Sequence, residues 1–311
     1  MSGRGSIIAW SLALAAVIAG VYWLTLGRRE TDAIVIDAQP SSATQPASTP
    51  TALTLTKVDG ALRVKAPAGT ERELKVGDAV SVSDEVLSGA GTSAELSLDG
   101  ASIAIGAETQ VQFRGESGDA LQFFITGGNV QASSSGRALE FLAAGTSGRV
   151  RVQNAAARLL SDGSRGLVAY SERGQVYVTN AGQTIALDAG QATRLIAEKA
   201  PAKSWKIPAS MLLKVSWPKE SELAVRKLKL GGNVSPGALV RVQSGGGTTR
   251  ALASEHGDFV IELRLDEGAN EVVVQSDDAR GKHELVKHRI KVDTTPADVG
   301  VETSPEMWKK K

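Results

Sequence analysis

The chain has 311 residues, enough for two ordinary domains with extensions, each able to bury a core. Aromatic residues make up only 4%, so the core has to be built from Val, Ile, Leu and Ala, and the absence of cysteine excludes a disulfide framework, a thiolate metal site and a cysteine nucleophile. With 35 Lys and Arg against 34 Asp and Glu there is no global field to draw in nucleic acid, so none is expected as a partner.

From Ser6 to Gly27 the stretch SIIAWSLALAAVIAGVYWLTLG carries no charge. A helix of that length crosses the roughly 30 Å hydrocarbon core of a bilayer. Trp10 near one end, and Tyr22 with Trp23 near the other, stand where interfacial aromatics belong. A cleaved signal peptide usually has an apolar run of only about 7–15 residues ending at a small-x-small site. Here the run is longer and leads straight into Arg28 and Arg29, so a retained transmembrane helix at 6–27 is expected behind a cytoplasmic stub at 1–5. Arg4 on one side and Arg28 and Arg29 on the other leave its orientation undecided by charge alone. Residues 28–52 form a Pro/Ser/Thr-rich linker; within it DAQPSSATQPASTPTA has too little apolar surface to fold and prolines that keep it extended.

From residue 53 to 197 the pattern is β throughout. Apolar and polar side chains alternate through Val80 and Val82, then Leu96 and Leu98, and on through ASIAIG, TQVQFRG, ALQFFITGGNVQASS, RALEFLAAG and GRVRVQN. Asp99-Gly100, between two alternating runs, reads as a two-residue hairpin turn, and Asp162-Gly163 reads similarly. GAGTSA, from Gly89 to Ala94, matches a G-x-G-x-x-A fingerprint, but a strand pattern follows it where a phosphate site needs a helix. Residues 198–220 change texture: three prolines, with Trp205 and Trp217, mark an interdomain linker. Residues 221–296 then hold about seven short strands separated by Ser-Pro-Gly, His-Gly-Asp and similar turns, the spacing of an immunoglobulin-like sandwich. Residues 297–311 read as a disordered polar tail ending in three lysines.

Three runs stand in the order seen in the FecR family of envelope proteins: LKVGDAVSVSDEVLSGAGTSAELSLDGASIAIGAETQVQF, LQFFITGGNVQA and GQVYVTNAGQTIALDAGQATRL. On these runs the chain resembles that family over about residues 74–196. The resemblance implies a β-rich, solenoid-like stack outside the inner membrane, hence a single-pass protein with its C-terminal bulk in a Gram-negative periplasm. Classical members relay a signal to a sigma factor through an N-terminal cytoplasmic domain, whereas the cytoplasmic stub expected here is only MSGRG. The C-terminal runs GNVSPGALVRV, HGDFVIELRLDEGANEVVVQSDDARGKHE and IKVDTTPA resemble a bacterial Ig-like module, which implies a spacer or an adhesive, glycan-contacting unit. The expected fold is therefore all-β, a FecR-like domain plus an Ig-like β-sandwich behind one transmembrane helix.

Side chains for chemistry are few. His256, His283 and His288 have no third ligand in pattern for zinc, His283 and His288 being read as members of a hairpin. No serine stands in a G-x-S-x-G elbow. Asp277, Asp278 and Asp293 make an incomplete calcium set and read as turn and strand-end residues. Trp205 and Trp217 are the two candidate contact residues, as a stacking platform for sugars, an interface anchor or packing of a linker. The expectation is a non-enzymatic binding or scaffold module with no cofactor and no metal, held in the membrane by 6–27 and meeting an envelope protein or cell-wall glycan. The alternatives are a FecR-type regulator acting through another membrane protein, and a cell-wall-active enzyme built on converging carboxylates.

Overall fold

A strand turns successive side chains to opposite faces, so a run that alternates apolar and polar residues can bury one face and solvate the other. The computed structural model describes residues 51–295 apart from 165, 221 and 246; the predicted span at 6–27, most of the linker and the tail lie outside the described residues. Every element described is a strand. The first region begins with β1 (Leu53–Asp59), β2 (Leu62–Lys65), β3 (Glu71–Glu73), β4 (Ala79–Val80), β5 (Glu85–Ser88), β6 (Ser93–Leu98), β7 (Ala101–Ile105) and β8 (Gln110–Ser117). It continues with β9 (Ala120–Ser134), β10 (Ala138–Ala143), β11 (Arg149–Val152), β12 (Ala155–Ser161), β13 (Leu167–Arg173), β14 (Val176–Asn180), β15 (Gln183–Leu187), β16 (Gln191–Leu195) and β17 (Trp205–Lys206).

These strands make two layers that share β9. The first layer runs β4-β1-β6-β7-β9-β12-β13-β16-β17, and the second β3-β2-β5-β8-β9-β10-β11-β14-β15. The first half of β9 pairs with β8 and β10; its second half pairs with β7 and β12. The change of layer falls at Gly127-Gly128. Gly128 has φ +105, and a Cβ there would sit 2.5 Å from the Thr109 Cα, so no other residue fits the bend. Because β9 crosses over, the chain re-enters the second layer beside its own start, and β10 runs parallel to it, Phe141 opposite Phe123.

The core between the layers takes the inward residues of both: Leu55, Leu96, Ile103 and Leu159 from the first, Leu62, Val111, Leu139 and Val178 from the second. Phe113, Phe123 and Phe141 stand in register on β8, β9 and β10, their rings stacked at 5.2 Å spacings. Three aromatics in one ladder fill the middle of a core otherwise built from small aliphatic side chains.

Asp99 and Gly100 join β6 to β7 with Leu98 opposite Ala101; both have positive φ, +49 and +76, as the expected two-residue turn requires. Asp162-Gly163 differs. It opens a longer connection between Ser161 and Leu167, in which the Asp162 carboxylate accepts a hydrogen bond from the Ser164 backbone N–H. GAGTSA leads from β5 into β6, with no helix.

The second region contains β18 (Leu213–Ser216), β19 (Glu222–Leu223), β20 (Lys227–Val234), β21 (Leu239–Ser244), β22 (Gly247–Leu252), β23 (Asp258–Arg264), β24 (Gly268–Asp277) and β25 (His283–Val292). A three-stranded sheet, β18-β20-β23, faces a five-stranded one, β19-β25-β24-β21-β22. Leu230, Phe259 and Ile261 from the former meet Val242, Val272, Val274 and Ile290 from the latter in one core. The span 198–220, expected as a linker, contributes a strand to each side: β17 pairs with β16, and β18 with β20. His283 and His288 lie in the β24–β25 hairpin as expected, both on the strand β25, five residues apart and hence on opposite faces.

Candidate functional site

The strands β12 and β13 break the alternation that governs the rest of the first region. Their sequences, AAARLLS and LVAYSER, carry apolar residues on both faces, and both faces are buried. Leu159, Leu167 and Ala169 point into the first core, while Leu160, Val168 and Tyr170 point outward. On that outer side they and Ala192 meet Leu239, Leu252 and Ala279 of the second region, with Trp205 and Ile207 at the margin. The two regions are thus joined through a third apolar cluster. Each large side chain fully buried there is worth roughly 1.5–3 kcal/mol relative to exposure.

Trp205 is part of this joint. Its backbone pairs with Ala192, and its ring lies against Val168 and the Gly237 turn; a Cβ on Gly237 would come within 3.0 Å of the indole and 3.1 Å of Val168, so glycine sets how close the regions approach. Trp217 follows β18 and packs on the second core, its ring stacked on His288 at 4.6 Å. The two tryptophans therefore belong to different clusters, one at the joint and one on the second region.

Beside the apolar cluster the joint is held by charge. Arg241, in the middle of β21, is 6% exposed and donates to the Asp277 carboxylate at the end of β24. Its other terminal nitrogen, Nη1, donates to the Ala107 carbonyl of the first region at 3.0 Å and lies 3.7 Å from the Glu108 carboxylate. Arg250 on β22 reaches the same Glu108 oxygen at 3.5 Å. Glu108 sits in the β7–β8 turn with φ +50, and its carboxylate faces both arginines. Burial pushes the Asp277 carboxyl above the usual range, with the charges of Arg241 and His283 pulling the other way. Arg194 donates to the Ala253 carbonyl at 3.4 Å, and burial lowers its guanidinium from the ordinary value, opposed by the charge of Asp162.

The joint is also imperfectly satisfied. Arg194 Nε, Trp205 Nε1 and Arg241 Nε are buried without a protein partner, and a buried donor left so costs about 1–3 kcal/mol. Apolar closure and unpaired donors oppose each other at this seam.

The aspartates considered for calcium do not converge. Asp277 is taken by Arg241. Asp278 is wholly buried in the β24–β25 turn, where Oδ1 accepts from the backbone N–H of Arg280 at 2.9 Å and of Lys282 at 2.8 Å. Asp293, at the other end of β25, accepts from Thr295. Among the described residues no group of three or more His, Asp or Glu is placed to hold a metal ion, and no helix is long and apolar enough to cross a membrane.

Arg241, Glu108 and Arg250 are not singled out by pattern in the sequence. Arg241 in ALVRVQS looks like the solvent-facing member of a half-exposed strand. Its neighbour Leu239, on the same outward face, is the one sign that this face is covered.

No family model and no curated protein matches the chain. Among solved structures it is similar to a candidate anti-sigma factor from Parabacteroides distasonis, with 13% identity over 39% of this chain and 59% of that one and a TM-score of 0.34. It is also similar to a tetra-tandem repeat from the extending region of a large adhesion protein, with 13% identity over 79% and 68% of the two chains and a TM-score of 0.25. A third is a Ca2+-stabilised adhesin with which an Antarctic bacterium binds ice, at 12% identity over 76% and 66% and a TM-score of 0.21.

Proposed function

We propose that the chain is a membrane-anchored, non-catalytic binding or scaffold module of a Gram-negative cell envelope, in which a FecR-like β region and an Ig-like sandwich act as one stiff body. The observation that carries this reading is the joint: Leu160, Val168 and Tyr170 buried against Leu239 and Leu252, locked by Arg241 across to Ala107 and Glu108. A body of that kind fits a spacer or docking platform better than two beads on a string. The FecR-like runs at 74–196 and the uncharged stretch at 6–27 support an envelope location, with the linker as a stalk. The non-catalytic reading is supported by how the two buried carboxylates are engaged within the fold: Asp277 accepts from Arg241, and Asp278 Oδ1 accepts from the backbone N–H groups of Arg280 and Lys282.

The test is fractionation and crosslinking of the full chain in cells. The protein should stay with inner membranes through alkaline carbonate, its C-terminal end should be cut by protease once the outer membrane is opened, and crosslinking should trap an envelope component. Release by carbonate, or protection from protease in spheroplasts, would overturn the location. The FecR resemblance favours a second reading, a signalling regulator working through another membrane protein; deletion of the chain would then change sigma-factor-dependent transcription.

A further inference from the structure

The outer face of the second layer has a different character from the face that makes the joint. Strand pairing lines up Gln112, Phe124, Leu142, Arg149, Thr179 and Thr184 in one row across β8, β9, β10, β11, β14 and β15. A neighbouring row holds Gln122, Glu140, Arg151, Tyr177 and Ala186. All of these are partly or fully exposed, Tyr177 at 47% being the most open aromatic side chain among the described residues. Between β10 and β15 part of these rows, namely Glu140, Arg149, Arg151, Tyr177, Thr179 and Thr184, lines a groove of about 560 Å3.

Two properties define what fits this groove. Its charges are internally compensated: Arg149 lies 3.8 Å from Glu140, which also accepts from Gln122 at 2.9 Å, and Arg151 is paired with Asp119. A compensated groove gains little from an anionic polymer and loses little to a neutral one. Its polar groups are also planar or hydroxylic and flank one aromatic ring. Tyr177 is held by its OH, which donates to Gln175 Oε1 at 2.7 Å, and its cross-strand neighbour on β15 is the small Ala186, which leaves room beside the ring. Four strands at the ordinary spacing span about 14 Å, room for a short run of sugar rings.

The geometry points to this groove as a binding site for an uncharged, N-acetylated glycan strand of the cell wall, one sugar stacked on Tyr177. The acetamido group carries one N–H donor and one C=O acceptor. Glu140 and Arg149, side by side in the groove, supply the matching acceptor and donor. This rests on the envelope-binding module proposed above and names its ligand and face.

The probe is chitohexaose, titrated calorimetrically against the full chain in detergent, with cellohexaose as the deacetamido control. Wild-type protein should bind chitohexaose more tightly than cellohexaose and with little dependence on salt. Tyr177→Ala should weaken binding about tenfold or more, with melting unchanged, and Tyr177→Phe should keep most of it. The proposal is overturned by no binding of chitohexaose at millimolar concentration, or by equal binding to Tyr177→Ala. Cellohexaose binding as well as chitohexaose, or salt-sensitive binding displaced by polygalacturonate, overturns it equally. A photocrosslinker in place of Tyr177 that traps an envelope protein in cells would reassign the face to a protein partner. If chitohexaose fails while the chain still fractionates with the membrane and crosslinks, the glycan is lost and the module reading stands. Failure of all three removes both.

Discussion

The two outer faces of the first region arise from the same kind of strand and meet opposite fates. On the first layer, β12 and β13 put Leu160, Val168 and Tyr170 outward, and these residues are buried beneath the second region. On the second layer, β11 and β14 put Arg149, Arg151 and Tyr177 outward, and Arg149 and Tyr177 remain exposed. A sheet face becomes an internal joint when its outward row is apolar, because only burial recovers that surface from water. It stays a surface when its outward row is polar and its charges are already paired. One region is thereby stiffened by its neighbour on one side and left available on the other.

Variants can break this contrast, beginning with the largest effect. Arg241→Ala leaves the Asp277 carboxylate buried without its partner and should cost about 3–5 kcal/mol by chemical denaturation. It should also split one unfolding transition into two, since the contacts to Ala107 and Glu108 go with it. Leu239→Ala, on the apolar side of the joint, falls in the lower part of about 2–5 kcal/mol, because the seam can open and admit water rather than keep a cavity. At Asp99, substitution by Val forces a β-branched residue into positive φ and should cost about 1–2 kcal/mol, whereas Asp99→Asn should be nearly neutral. Tyr177→Ala on the open face should change stability by no more than about 0.5 kcal/mol.

The charge in the joint also has a pH signature. Asp277 has its folded pKa raised by burial, so the native state binds that proton more tightly than the unfolded chain. Its contribution is then fully present at acid pH, below the unfolded carboxyl value, and is lost as pH rises through the folded one. Melting of wild type and Asp277→Asn side by side should show the difference moving against wild type with rising pH across that window. A difference that stays flat, or moves the other way, would mean that Arg241 rather than burial governs the site.

Much of this was open to reading one residue at a time. The alternation in ASIAIG and TQVQFRG reports β7 and β8 directly, because a half-buried strand needs that pattern whatever it packs against. Asp99-Gly100 likewise carries its turn in its own backbone preferences. Asp162-Gly163, with the same two residues, does not close a two-residue turn, because β13 begins only at Leu167. Trp205 and Trp217 look equivalent as aromatics flanking a boundary; their separate placements depend on which strands, β17 and β18, the linker adds to each side.

Local pattern therefore determined the strands, the turn at Asp99 and the all-β class of the described residues, since period and turn chemistry act over a few residues. Tertiary structure alone decided that β9 serves two layers, that Arg241 is buried and that Glu108 faces it from 133 positions earlier in the chain. The physical reason is that these features depend on which outward faces meet. That meeting is settled by the total apolar surface removed from water and the few charges that can be satisfied in doing so, quantities that no single segment carries.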